Sequence, residues 1–250
     1  MPLRVCVAGV TGWTGSAVAE AVDAAPDLEL GAGVARSDPA SYSTVAEALD
    51  AAPVDVLVDY TSAAAVKENV LAAVDRRVAA VVGSSGLSTS DYEEIDERAR
   101  ARQVGVIAAG NFSITAALLL RFATEAARHL GSWEVIDYSS LGKPDAPSGT
   151  ARELAERLDS VGPPAVAVPV EETLGAREAR GATVGTTQVH SLRLPSFSVS
   201  TEIVLGGEDE RLSIRHDAGS TPAPYVAGTL LAIRAVPDRI GVTRGLDQLF

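Results

Sequence analysis

Sulfur, histidine and clustered positive charge are all scarce in this chain. Cys6 is the only cysteine among 250 residues, which excludes an intramolecular disulfide framework and a cysteine-built metal site. The thiol falls in an apolar run, where a lone cysteine serves as a small core residue. Lys and Arg number 21 against 33 Asp and Glu, a net charge of −12, and the acids are spread rather than blocked. Nucleic acid needs clustered cations, so it is not expected as a partner. No window approaches the roughly 18 uninterrupted apolar residues of a membrane span, and no membrane partner is expected. Met1 runs straight into a strand-like segment without a basic, apolar leader, and a cytoplasmic location is expected.

What is present is a folding pattern. Hydrophobic residues make up 46% and charged residues 22%, the proportions of a protein with a substantial core. Short apolar runs at 3–8, 28–34, 54–59, 79–82 and 104–108 read as strands. They alternate with helical patterns at 15–25, 44–51, 64–75 and 90–103. Five such repeats predict an α/β fold of the Rossmann type, a doubly wound parallel sheet. After Gly110 the rhythm changes. A long helix at 114–129, a strand at 133–138 and strand-like segments at 188–194, 198–205 and 211–216 predict a second α+β domain with a mostly antiparallel sheet. A helix at 225–235 packs back on the first part. The expected division is residues 1–110 with 217–250 for a dinucleotide, and 111–216 for substrate binding and oligomerisation.

Gly9-Val10-Thr11-Gly12-Trp13-Thr14-Gly15 follows the first strand and opens the first helix. Glycines there allow a tight turn and close approach of a pyrophosphate to the helix N-terminus. Turn glycines alone have the same look, but a strand before and a helix after favour a nucleotide site. Gly9, Thr11, Gly12, Trp13, Thr14 and Gly15 are therefore candidate cofactor residues. At the end of the second strand an acid would bind a ribose 2′-hydroxyl and an arginine a 2′-phosphate. The chain has Arg36 and Ser37 there, which favours NADPH, with NADH as the alternative. Tyr60 and Thr61, Gly83, Ser84 and Ser85, and Gly110, Asn111 and Phe112 end the next strands and complete the candidate set.

The stretch Ser139-Ser140-Leu141-Gly142-Lys143-Pro144-Asp145-Ala146-Pro147-Ser148-Gly149-Thr150-Ala151 enters a helix. Its Ser-Gly-Thr step reads as a cradle for phosphate or carboxylate. The GVTGWTG, DYTS, GSSG, GNFS, KPDAPSGTA, HSLRLP and IRHD stretches, in this order over nearly the whole chain, resemble the dihydrodipicolinate reductases. That resemblance implies reduction of a cyclic imine dicarboxylate by NADPH or NADH, within lysine and diaminopimelate biosynthesis, in a homotetramer. It implies that Lys143 is the catalytic acid and that Ser148, Gly149 and Thr150, beside Ser139 and Ser140, bind substrate. No metal is implied.

The chain departs from the family at two places. Two successive histidines are replaced by Ser139-Ser140, and the arginine usual a few residues after IRHD is absent from Ala218-Gly219-Ser220-Thr221-Pro222. Two further readings follow: a reductase of another imine or 2-oxo acid, and a non-catalytic NADPH-binding homologue. His129, His190 and His216 all lie outside the loop and do not replace the lost pair.

Overall fold

A computed structural model describes residues 1–250, the entire chain. The chain forms two compact units, Met1–Ile114 with Thr221–Phe250, and Thr115–Ser220.

The first unit begins with β1 (Leu3–Ala8), α1 (Trp13–Ala24), β2 (Leu28–Val34), α2 (Val45–Ala51), β3 (Val56–Asp59), α3 (Val66–Asp75), β4 (Ala79–Val82), α4 (Thr89–Arg102) and β5 (Gly105–Ala108). All four residues of β3, β4 and β5 are buried. Strands covered on both faces need continuous apolar runs rather than alternation, and Val56-Leu57-Val58 and Ala79-Ala80-Val81-Val82 supply them. The helices start where the sequence provides caps. Thr44 and Glu47 close a reciprocal capping box on α2, and Ser88 and Asp91 do so on α4. Gln103 ends α4 in the left-handed region at φ 59°.

The second unit holds α5 (Ile114–Ala127), β6 (Ser132–Ser139), α6 (Gly149–Leu158), β7 (Ala182–Val184), β8 (Thr187–Arg193), β9 (Val199–Gly207) and β10 (Glu210–Ala218). Its sheet runs β10-β9-β6-β8-β7. The β6–β8 pair is parallel and the other three are antiparallel, so the sheet is mixed. Along β6 the residues alternate between half-buried and buried. Trp133 and Val135 join Val189, Ile203, Leu205 and the α6 residues Leu154 and Leu158 in one core.

The chain ends in the first unit with α7 (Ala223–Ala235) and β11 (Gly241–Arg244). The six-stranded sheet runs β11-β5-β4-β3-β1-β2, and every pairing in it is parallel. This is the expected doubly wound architecture, with β11 added at the edge next to β5. The chain reverses direction across the sheet between β1 and β3, and ligands of such folds bind beyond the strand C-termini at that reversal. No helix is long and apolar enough to cross a membrane.

Candidate functional site

In the first unit the candidate residues gather beyond the C-terminal ends of β1 to β5. Gly9 has φ 85°, and a Cβ on it would lie 2.2 Å from the Tyr60 carbonyl oxygen. A Cβ on Gly15 would lie 2.0 Å from the Gly9 oxygen. These two glycines therefore build the turn itself. Gly12 caps α1 without any side-chain hydrogen bond, and the first turn of that helix carries no acid. An uncapped N-terminus of a 12-residue helix, approached by bare backbone, fits a pyrophosphate. Thr11 and Trp13 are exposed beside it and Thr14 is half-buried. The Trp13 ring meets Tyr225 edge-on at 6.0 Å.

Beyond β2, Arg36 and Ser37 are exposed. The nearest acid is committed elsewhere. Asp38 accepts the Ala40 N–H at 3.0 Å and the Ser41 hydroxyl at 2.6 Å, and these bonds, the Ser41 one first, hold its carboxyl below the usual range. Arg36 is thus the charge offered at this strand end.

Beyond β3 and β4 the side chains turn inward. Tyr60 donates its hydroxyl to Thr229 at 2.6 Å, because the Thr229 proton goes to the Tyr225 carbonyl at 2.8 Å. Burial pushes the phenol up. The Tyr60 ring covers Gly83, where a Cβ would meet it at 2.2 Å, and stands edge-on to Phe112 at 6.2 Å. Phe112 is 2% exposed, so the ring expected near the cofactor packs inside the unit instead. Asn111 accepts the Ser113 N–H at 2.8 Å and shapes the turn after Gly110. Thr61, Ser84 and Ser85 remain at the strand ends, and Thr61 and Ser84 both bond the buried Asp59.

In the second unit the inward-facing residues of β6 change from apolar to polar along the strand: Trp133, Val135, Asp137, Ser139. Asp137 has no exposed surface. Its Oδ2 accepts the Ser148 N–H at 2.9 Å, the Ser191 hydroxyl at 3.0 Å and Arg193 Nη2 at 2.9 Å. Arg193 also donates to the Asp145 carbonyl at 2.7 Å. One buried ion pair therefore ties the candidate loop to the sheet and fixes the start of α6. Neither residue is marked by the local sequence pattern. An acid in a strand reads as exposed, and the pairing of Arg193 with Asp137 spans 56 positions.

Lys143 is one of two lysines in the chain, and the other, Lys67, is paired with Asp91 at 2.6 Å and Glu94 at 2.8 Å. Lys143 Nζ lies 2.7 Å from Asp145 Oδ1, and its hydrogen bond holds the Asp145 carboxyl low. Ser148 is buried and its hydroxyl finds no partner in the chain, while Gly149 is exposed and Thr150 buried. The Ser148 N–H expected to meet an anion already meets Asp137. Ser139 is buried, with its hydroxyl on the Ser198 carbonyl at 2.9 Å. It does not face outward as a substrate group, whereas Ser140 is exposed.

The row continues across the sheet. Asp137 is in register with Thr201, and Thr201 with His216. His216 is 4% exposed and bonds Thr115 through Nδ1 at 3.0 Å. Asp137 Oδ1, Thr201 Oγ1 and His216 Nε2 are buried without partners. The imidazole stands two strands, about 10 Å, from the carboxylate that anchors the loop. A groove of about 990 Å³ lies along the opposite face of this sheet, lined by Ile136, His190, Val204 and residues 164–171; none of residues 139–151 lines it. No three His, Cys, Asp or Glu side chains converge to hold a metal.

A doubly wound parallel sheet and a second unit built on a mixed sheet define a two-unit α/β protein. Family models described as dihydrodipicolinate reductase, N-terminus and C-terminus, match residues 3–112 and 115–249. The chain is 42% identical over 196 residues to the 4-hydroxy-tetrahydrodipicolinate reductase of Moorella thermoacetica, covering 78% of this chain and 72% of that protein. Identity to the enzyme of the same name from Cutibacterium acnes is 36%, over 99% of this chain and 98% of that one. The dipicolinate-bound dihydrodipicolinate reductase of Paenisporosarcina sp. TG-14 superposes with a TM-score of 0.85 at 27% identity, covering 100% of both chains. The chain belongs to the dihydrodipicolinate reductase family.

Proposed function

We propose that the protein is an NADPH-dependent reductase of a cyclic imine, with 4-hydroxy-tetrahydrodipicolinate as substrate. The observation that carries this reading is the loop 143–150, held by the buried Asp137–Arg193 pair and bearing the one amine of its unit. The relatives named for that reaction support it.

When bound, the cofactor supplies hydride. The chain's residues do the remainder. The N-terminus of α1 and its glycine turn hold the pyrophosphate, and Arg36 meets a 2′-phosphate, with Asp38 tied into its own turn. Lys143 holds a proton at Nζ for the imine nitrogen, with Asp145 Oδ1 2.7 Å away to orient the amine. Gly149 and Thr150, at the start of α6, bind a carboxylate by backbone N–H groups.

One observation favours a second reading, a substrate with fewer carboxylates. Each cation of the loop region is matched by an acid, Lys143 by Asp145 and Arg193 by Asp137, and the Ser139 hydroxyl is spent on Ser198. The test is NADPH oxidation by pure protein with the dicarboxylate imine made from pyruvate and aspartate semialdehyde, beside monocarboxylate cyclic imines and 2-oxo acids. Highest kcat/KM on the dicarboxylate is expected. Turnover confined to the monocarboxylates would move the assignment to the second reading.

A further inference from the structure

Trp13 is the most exposed aromatic side chain of the protein. It is 58% exposed, whereas the second tryptophan, Trp133, is 6% exposed. Apolar surface left in water is unfavourable, but single exposed apolar residues are ordinary. The place of the ring in the fold therefore matters more than its exposure.

Trp13 is the first residue of α1, directly after the bare Gly12 cap. Val10, in the same turn, points the other way. Its side chain lies over Gly33 of β2, where a Cβ would meet Val10 Cγ1 at 3.0 Å. Trp13 instead meets Tyr225, at the start of α7, edge-on at 6.0 Å. Helix α7 packs against α1 and β4, and the sheet order β4-β3-β1-β2 puts β4 on the side of β1 away from β2. One turn beyond Tyr225, Thr229 bonds the hydroxyl of Tyr60, the residue that follows β3. The start of α7 is thereby fixed at the end of the sheet where the glycine turn lies. Trp13 and Arg36 consequently flank that turn on opposite sides, since Arg36 follows β2.

We propose that Trp13, backed by Tyr225, is the aromatic contact for the half of the dinucleotide that lies beyond the pyrophosphate from the 2′-phosphate. This rests on the cofactor assignment made above. A dinucleotide with its adenosine at the end of β2 and its pyrophosphate at α1 extends its other nucleoside across the reversal point of the sheet. That path runs past the open indole. An aromatic side chain there covers apolar surface of the nucleoside and is indifferent to a 2′-phosphate. Arg36 thus separates NADPH from NADH, while Trp13 strengthens the binding of both.

The test is calorimetry of NADPH, NADH and adenosine 2′,5′-bisphosphate with wild type, Trp13→Leu and Trp13→Phe. Leucine keeps apolar bulk against Tyr225 but removes the ring, and phenylalanine keeps a ring. Trp13→Leu is expected to raise the Kd for NADPH and for NADH by the same factor, about tenfold, and Trp13→Phe by no more than about threefold. The Kd for the adenosine bisphosphate, which lacks the second nucleoside, is expected to be unchanged in both variants. Wild-type affinity for NADPH in Trp13→Leu would overturn the proposal. Equal weakening of all three ligands would also overturn it, because that is the result of damage to the turn itself. Failure of wild type to bind either NADPH or NADH would instead remove the cofactor assignment on which it rests.

Discussion

At the scale of single residues, the proposed function assigns the chemistry to Lys143 and the cofactor preference to Arg36. Replacing Lys143 with Ala is expected to lower kcat by about 10²–10⁴-fold, the usual contribution of a positioned acid. NADPH binding, followed by fluorescence titration, should be unchanged, since the amine belongs to the second unit. Replacing Arg36 with Ala should raise the Kd for NADPH about tenfold and leave that for NADH alone. An equal effect on both cofactors would contradict a role at the 2′-phosphate. His216 supplies a prediction in pH. Burial lowers its pKa, so the unfolded chain takes up a proton that the folded one refuses. Stability should therefore fall as pH drops below about 6.5, the unfolded value. Urea unfolding of His216→Gln should show a shallower loss between pH 6.5 and 5 than wild type.

At the scale of elements, the decisive contact is the one between β6, β8 and the start of α6. Asp137 is fully buried, and the Arg193 side chain is 17% exposed. Removing one member of such a pair leaves a buried charge without a partner. Arg193→Met is expected to cost about 3 kcal/mol in urea unfolding and to lower kcat further than stability alone explains, because the loop 143–148 loses its anchor. The sequence displayed the loop but not the anchor. Local pattern marks a turn-rich stretch entering a helix, whereas the parallel β6–β8 register that brings Arg193 beside Asp137 is a long-range choice. The same limit explains β7 and β11. Three residues at Ala182–Val184 and four at Gly241–Arg244 are too short to show a period, and only pairing with a neighbour makes them strands. Tyr60 and Phe112 mark a related gap, since adjacency to a strand end does not tell which way an aromatic ring turns.

At the scale of the whole molecule, the succession of apolar runs and helical patterns was enough to expect both sheets, because central parallel strands are written as continuous Val, Leu and Ala. The glycine turn and the loop 139–151 marked the two candidate binding regions for the same local reason, each requiring particular backbone freedom or caps. What stayed hidden was charge balance: which cations are already matched by acids, as Lys143 is by Asp145 and Arg193 by Asp137. The account as a whole rests on hydride passing from a nicotinamide to an imine carbon. The most direct measurement uses NADPH deuterated at the transferred position of C4, with the dicarboxylate cyclic imine and mass spectrometry of the product. One deuterium per reduced product is expected with wild type, and the same label formed about 10²–10⁴-fold more slowly with Lys143→Ala although NADPH still binds. NADPH binding by wild type without any deuterated product from the dicarboxylate, a monocarboxylate imine or a 2-oxo acid would contradict it.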